Sequence, residues 1–265
     1  SGVFAALMAQ KGYSGTEKVF EGKEGFMDAF VGWDAKEEKL KPTDMEGRDG
    51  TSSWSWDIDA LVGNLGNSYK IMECGMKAFP TEALTHTHLS CLLNAMIGNN
   101  LNYTDIKEVQ VTCFAQAYDI LFDPTKYRPE SRETADHSLP YCLAAAMVDK
   151  KITTESFSDE KLNDPRIYEV IDKIKGQPSQ EFEKMFPAKQ PSKVVVTTND
   201  GRKFEEYLEY PKGDPREPMT MDDLENKFNS LVGDKLSDDQ KNQLKNTILN
   251  SQETSANDLM TALNI

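Results

Sequence analysis

The run Cys142-Leu143-Ala144-Ala145-Ala146-Met147-Val148, stopped by Asp149-Lys150-Lys151, constrains this chain most. A helix with so little polar surface must be buried, so a core has to be built around it. Ahead of it, Asp136-His137-Ser138-Leu139-Pro140-Tyr141 places an acid, an imidazole, a hydroxyl and a phenol within six positions. If the helix starts near Ser138, those groups stand at the mouth of an apolar core, where free N–H groups favour an anion. The competing expectation is plainer. Asp136 or Ser138 caps the helix, and His137 and Tyr141 are hydrogen-bonders at the core's edge.

The remaining pattern is mixed. Val3, Phe4, Leu7 and Met8 fall on one face of a helix that stops at Gly12, and Glu24 to Val31 fits a second short helix. Residues 34–66 read as a long polar loop anchored by Trp54, Trp56 and Leu61, with a helical turn near Ile58–Leu61. Gly63-Asn64-Leu65-Gly66 lacks the strand before it and the Gly-Lys-Ser ending that a phosphate loop needs. Thr81-Glu82 introduces a helix carrying Leu84, Leu89, Leu92, Leu93, Met96 and Ile97, which ends at Gly98-Asn99-Asn100. Residues 108–114 alternate as a half-buried strand, with Val109, Val111 and Cys113 on one side. Asp164-Pro165 opens a helix with Ile167, Val170, Ile171 and Ile174 in step. Residues 194–210 form a hairpin about Asn199-Asp200-Gly201. Beyond Pro211, Pro215 and Pro218, three helices each open on a capping-box pattern at Thr220, Ser237 and Ser255. Helical ends around a mixed middle predict an α+β chain, part of a large all-helical domain interrupted by a smaller α/β lid. The expected divisions are 1–71 (helical), 72–218 (lid) and 219–265 (helical, returning).

Lys and Arg number 30 against 44 Asp and Glu, a net charge of −14, which argues against nucleic acid or an anionic membrane as partner. An acidic metabolite then needs a local cluster of cations. No apolar run approaches the length of a membrane span. Four separated cysteines without a CxxC pair, and no visible signal peptide, read as thiols in a reducing compartment, cytoplasm or mitochondrial matrix, rather than as a secreted disulfide framework. Ser1 opens directly into a helical pattern, which suggests a processed start or a part of something longer.

Arg132-Glu133-Thr134-Ala135-Asp136-His137-Ser138-Leu139-Pro140-Tyr141 resembles the signature segment of the MmgE/PrpD family, which includes 2-methylcitrate dehydratase and cis-aconitate decarboxylase. Supporting matches are Ser1 to Leu7 with Gln10-Lys11-Gly12, Phe20-Glu21-Gly22 with Gly25-Phe26, Lys77-Ala78-Phe79-Pro80, and Asn199-Asp200-Gly201-Arg202. The resemblance implies the helical domain with its lid, and substrate held between them. It also implies a long upstream helical half that carries further catalytic groups, and a homodimer. It puts Lys77 at an active-site lysine that holds a carboxylate or stabilises charge, where the residues alone suggest only a surface lysine before a proline turn. Tyr141 matches a tyrosine that donates a proton or binds carboxylate. His137 matches its neighbour, able to orient Tyr141 if both share a helix face, and Asp136 would fix the tautomer of His137.

Dehydrating a β-hydroxy acid needs a base beside a carboxylate, an acid for the departing hydroxyl, and cations for the carboxylates and enolate charge. Decarboxylating an unsaturated tricarboxylate needs nearly the same groups. Neither requires a metal or other cofactor, and none is expected. His86 and His88 could suggest one, yet on a helix they point about 200° apart and no further ligand is suitably spaced. Decarboxylase members tend to carry histidine where Glu82 stands. Dehydratases tend to have Pro-x-Glu, as in Pro80-Thr81-Glu82, followed by a histidine where this chain has Leu84. The expectation is therefore a lyase of propionate-type metabolism, dehydrating a 2-methylcitrate-like tri- or dicarboxylate. Lys77, Tyr141 and His137 would be catalytic; Glu82, His86, Asp136 and Ser138 would bind substrate. The alternatives are a decarboxylase, an isomerase or epimerase acting beside a carboxylate, or a non-catalytic subunit or fragment that needs a complementary N-terminal chain.

Overall fold

A computed structural model describes residues 1–20, 25–26, 33–34, 39–40 and 62–263. The helix expected over 24–31 falls almost wholly outside them, as do Trp54, Trp56, Ile58 and Leu61. The chain divides into two units, residues 1–70 and 71–265. The first holds α1 (Gly2–Gln10), on which Val3, Phe4 and Leu7 are exposed, and a two-residue antiparallel pair, β1 (Trp33–Asp34) with β2 (Lys39–Leu40).

The second unit is mixed α and β, and its four-stranded sheet is the scaffold of the candidate site. β3 (Ile106–Cys113) buries Ile106, Val109, Val111 and Cys113, as the alternation predicts. It pairs in parallel with β4 (Ile174–Pro178) and antiparallel with β5 (Ser192–Thr198). β5 then pairs antiparallel with β6 (Lys203–Leu208) across the Asn199-Asp200-Gly201 turn, where Gly201 has φ +88°. Joining β3 to a parallel neighbour takes a long crossover, supplied by α3 (Ala115–Leu121), α4 (Arg132–Asp136), α5 (Leu139–Asp149), α6 (Asp159–Leu162) and α7 (Pro165–Ile171). The apolar run is α5, buried from Leu139 to Met147. It packs on α7, on β4, and on α2 (His86–Gly98), which in turn covers β5 and β6.

Three details differ from the sequence expectation. Ile174 belongs to β4 and not to the helix before it, because α7 closes at Asp172 and the chain turns into the sheet beside β3. Gly176 and Pro178 hide that strand, since both are poor strand formers. β4 is an edge, however, which tolerates proline, and the Phe122 ring lies 2.7 Å from where a Gly176 side chain would begin. The helix after Thr81 starts with a 3-10 turn, Ala83–Thr85, although it ends at Gly98-Asn99-Asn100 as expected, with Asn100 left-handed (φ 51°). α8 (Gln180–Met185) lies between β4 and β5 where no helix was assigned. The last three helices, α9 (Met221–Val232), α10 (Asp238–Leu249) and α11 (Ala256–Leu263), open on the expected Thr220/Asp223, Ser237/Gln240 and Ser255/Asp258 pairs.

Candidate functional site

Residues 77–80 line one wall of a cavity of about 660 Å³, and the course of the segment 75–82 is fixed from several directions. The Met76 N–H donates to Gly213 O at 2.8 Å. Gly213 has φ +94°, and a side chain there would begin 1.9 Å from Met76 O, so only glycine permits the approach. Lys227 Nζ, from α9, donates to Lys77 O at 2.6 Å. Lys77 Nζ donates to Thr81 O at 2.8 Å, and the hydroxyls of Thr81 and Thr85 lie 2.7 Å apart. Lys77 therefore enters the cavity on a braced backbone, with its charge unopposed by any acid at that contact.

The cavity is basic within an acidic chain. Lys77, Lys150, Lys151, Lys212 and Lys227 line it against the two carboxylates Glu217 and Asp223, a local excess of three positive charges where the chain as a whole carries −14. Lys212 bonds Asp223 at 2.7 Å. That bond, with donation from Thr220, holds the Asp223 carboxyl down at about 2, so the pair is a neutral brace. Phe79, Leu93, Ile152 and Leu231 supply apolar wall. Behind Phe79, at 5.4 Å between rings, lies the buried His86. Burial lowers its pKa to about 4, helped by the charges of Lys77 and Lys227, so the ring is neutral near pH 7. Its Nε2 has no hydrogen-bond partner among the described residues.

Of the residues chosen from sequence, Lys77 alone lines this cavity. Ser138 serves as the cap of α5. Its hydroxyl accepts from Tyr141 N–H at 3.1 Å and donates to Lys126 O at 2.5 Å. With Pro140 lacking an N–H, the first turn has little left to offer an anion, unlike the expectation. Tyr141 is fully buried, and its hydroxyl donates to Ser156 O at 2.9 Å. Burial raises its pKa, so the phenol stays protonated. The helix face expected to join His137 and Tyr141 is not formed, because the chain breaks at His137-Ser138 between α4 and α5.

His137 lies instead on the surface, with half its side chain exposed. Its Nδ1 is hydrogen-bonded to the Asp136 carboxylate, as expected for a fixed tautomer. A carboxylate only accepts, so Nδ1 carries hydrogen and Nε2 is the open position. Glu82 adjoins this pair: its N–H donates to Asp136 O at 3.0 Å, while its carboxylate accepts from Leu84 N–H at 2.6 Å and caps the 3-10 turn. Thus residues 77–82 connect the lysine cavity to the Asp136–His137 pair. His88 is buried against β5, sharing a 2.5 Å hydrogen bond with Ser192, and burial lowers its pKa to about 3. Among the described residues no group of three His, Cys, Asp or Glu is arranged to hold a metal. The lysines at 150, 151, 212 and 227 escaped the sequence reading because they come from three distant parts of the chain, the end of α5, a loop and α9, and carry no local motif.

The MmgE/PrpD C-terminal domain matches residues 79–253. The cis-aconitate decarboxylase-like protein oryM of Aspergillus oryzae is 25% identical over 264 residues, 97% of this chain and 50% of that protein. Cis-aconitate decarboxylase of Aspergillus terreus is 22% identical, covering 94% of this chain and 49% of the relative. The human cis-aconitate decarboxylase is 23% identical, covering 99% and 50%. The chain spans about half the length of the curated relatives it matches.

Proposed function

Because the chain belongs to the MmgE/PrpD family, we propose that it forms part of a lyase acting on a citrate-like tri- or dicarboxylate, the reaction being loss of water from a 2-methylcitrate-like hydroxy acid. The observation that carries the reading is the cavity's excess of three positive charges in a chain of net −14. Such a pocket attracts a polyanion locally while the rest of the surface repels it. Lys77 donates to a substrate carboxylate and stabilises the enolate charge that develops when the neighbouring carbon loses its proton. Lys227 holds the Lys77 backbone in place. His137 lies on the surface outside the cavity, its Nδ1 held by Asp136; in the completed assembly its open Nε2 would be the group that exchanges a proton with substrate or solvent. We assign no chemical role to Tyr141 or Ser138, whose hydroxyls already donate within the core. Burial leaves His86 neutral, so it adds no charge. The half of the curated relatives that this chain does not span would supply the remaining catalytic groups, as a complementary chain or segment, in a homodimer or a heteromeric assembly.

A second reading, decarboxylation of an unsaturated tricarboxylate, is favoured by the names of the relatives, which are cis-aconitate decarboxylases. The same lysines would hold the carboxylates, and the proton would go to the carbon that loses carbon dioxide. The two readings separate by product. Incubation with 2-methylcitrate, citrate and cis-aconitate, with the complementary half supplied in trans, is followed by proton NMR. An unsaturated acid formed from 2-methylcitrate supports dehydration, and a decarboxylated product from cis-aconitate supports the second reading. Lys77→Ala should remove either activity. Turnover unaffected by Lys77→Ala would overturn both.

A further inference from the structure

The cavity's unneutralised cations form two groups on different elements. Lys77 and Lys227 are tied together by the 2.6 Å bond from Lys227 Nζ to Lys77 O. Lys150 and Lys151 stand at the end of α5, where the chain turns away from the buried helix. Lys212 belongs to neither group, being neutralised by Asp223. We infer that Lys150 and Lys151 form a separate carboxylate subsite, which reads a carboxylate remote from Lys77 and makes the cavity prefer three carboxylates over two. This rests on reading the cavity as a polycarboxylate site.

Three observations support it. Lys150 has φ 54°, a left-handed cap position that favours glycine or asparagine, so backbone geometry does not account for a lysine there. The adjacent acid, Asp149, is already paired with Lys161 at 2.6 Å, and among the described residues neither Lys150 nor Lys151 has an acidic partner. Both lysines line the cavity together with Thr153 and Thr154, whereas a lysine that served only the helix dipole would need no cavity. Glu217 and Asp223 are the acids facing the same space; Asp223 is held by Lys212 and Thr220, and Glu217 disfavours an anion on its own side.

The test is calorimetric titration of the full chain with tricarballylate and with succinate, neither of which can dehydrate or lose carbon dioxide by this chemistry. The wild-type chain should prefer tricarballylate. Lys150→Gln with Lys151→Gln should weaken tricarballylate binding by about tenfold or more and leave succinate nearly unchanged, since a charge-assisted contact of ordinary strength is lost. A control with equal charge loss outside the cavity, Lys175→Gln with Lys184→Gln, should leave the preference intact. If the glutamine pair perturbs folding, Lys150→Arg with Lys151→Arg keeps the charges and should keep the preference. Equal weakening of both ligands, or no change, overturns the subsite. Absence of binding to the wild-type chain, or binding indifferent to Lys77→Ala, overturns the polycarboxylate reading itself and the subsite with it.

Discussion

The buried His88 sets a condition on pH. Its pKa is about 3 in the fold, against about 6.5 for a free imidazole. The unfolded chain therefore binds the proton first, and stability should fall as pH drops from near 6.5 towards 4, by up to about 1.4 kcal/mol per pH unit for one such group. His86, with a pKa near 4, acts in the same direction. His88→Asn keeps a polar atom near Ser192 but removes the titration. Urea unfolding between pH 7 and 4.5 should show a shallower loss of stability in that variant, and an unchanged slope would remove His88 as a cause. Tyr141 offers a second test at this scale. Tyr141→Phe deletes one buried hydrogen bond, to Ser156 O, and should cost about 1 kcal/mol of stability. Ligand binding in the lysine cavity should be nearly unchanged, and a selective loss of binding with full stability would contradict the core role given to its hydroxyl.

Among the elements, the segment that carries Lys77 depends on a distant glycine. Gly213→Ala would place a carbon 1.9 Å from Met76 O and force a left-handed backbone on alanine. The loss should be about 2 kcal/mol or more, and carboxylate binding at Lys77 should weaken with it. Thermal melts and calorimetry check the two effects together; normal binding would show that Lys77 does not depend on this contact. Periodicity made several elements legible: the alternation of β3, the turn between β5 and β6, and the caps of α9, α10 and α11. It failed for β4, where Gly176 and Pro178 are explained by a neighbouring ring and an edge position that no local pattern records. The start of α5 near Ser138 was legible too, with Ser138 as its cap, but α4 before it was not, and the break between them sends Tyr141 inward and His137 outward instead of onto one helix face.

Across the whole chain, burial and charge are distributed unevenly. The hydrophobic cluster, with the residues packed against it, lies between Phe79 and Leu208. Residues 71–265 expressed alone should accordingly unfold cooperatively with a midpoint close to that of the full chain, and a broad or missing transition by circular dichroism would show that residues 1–70 are required. No helix among the described residues is long and apolar enough to cross a membrane. Sequence by itself determined the α+β composition, the buried helix at 139–149, the family and the importance given to Lys77, because each is written in a contiguous pattern of residues. It also anticipated that an acidic chain must gather its cations to hold an acid. Only the tertiary structure decided which cations gather. Lys150 and Lys151 end one helix, Lys227 lies within another and Lys212 in a loop, and their shared cavity exists only once α2, α5 and β6 have packed. The same packing turned Tyr141 into a core residue, since a side chain's neighbours depend on where its element docks and not on its position in the chain.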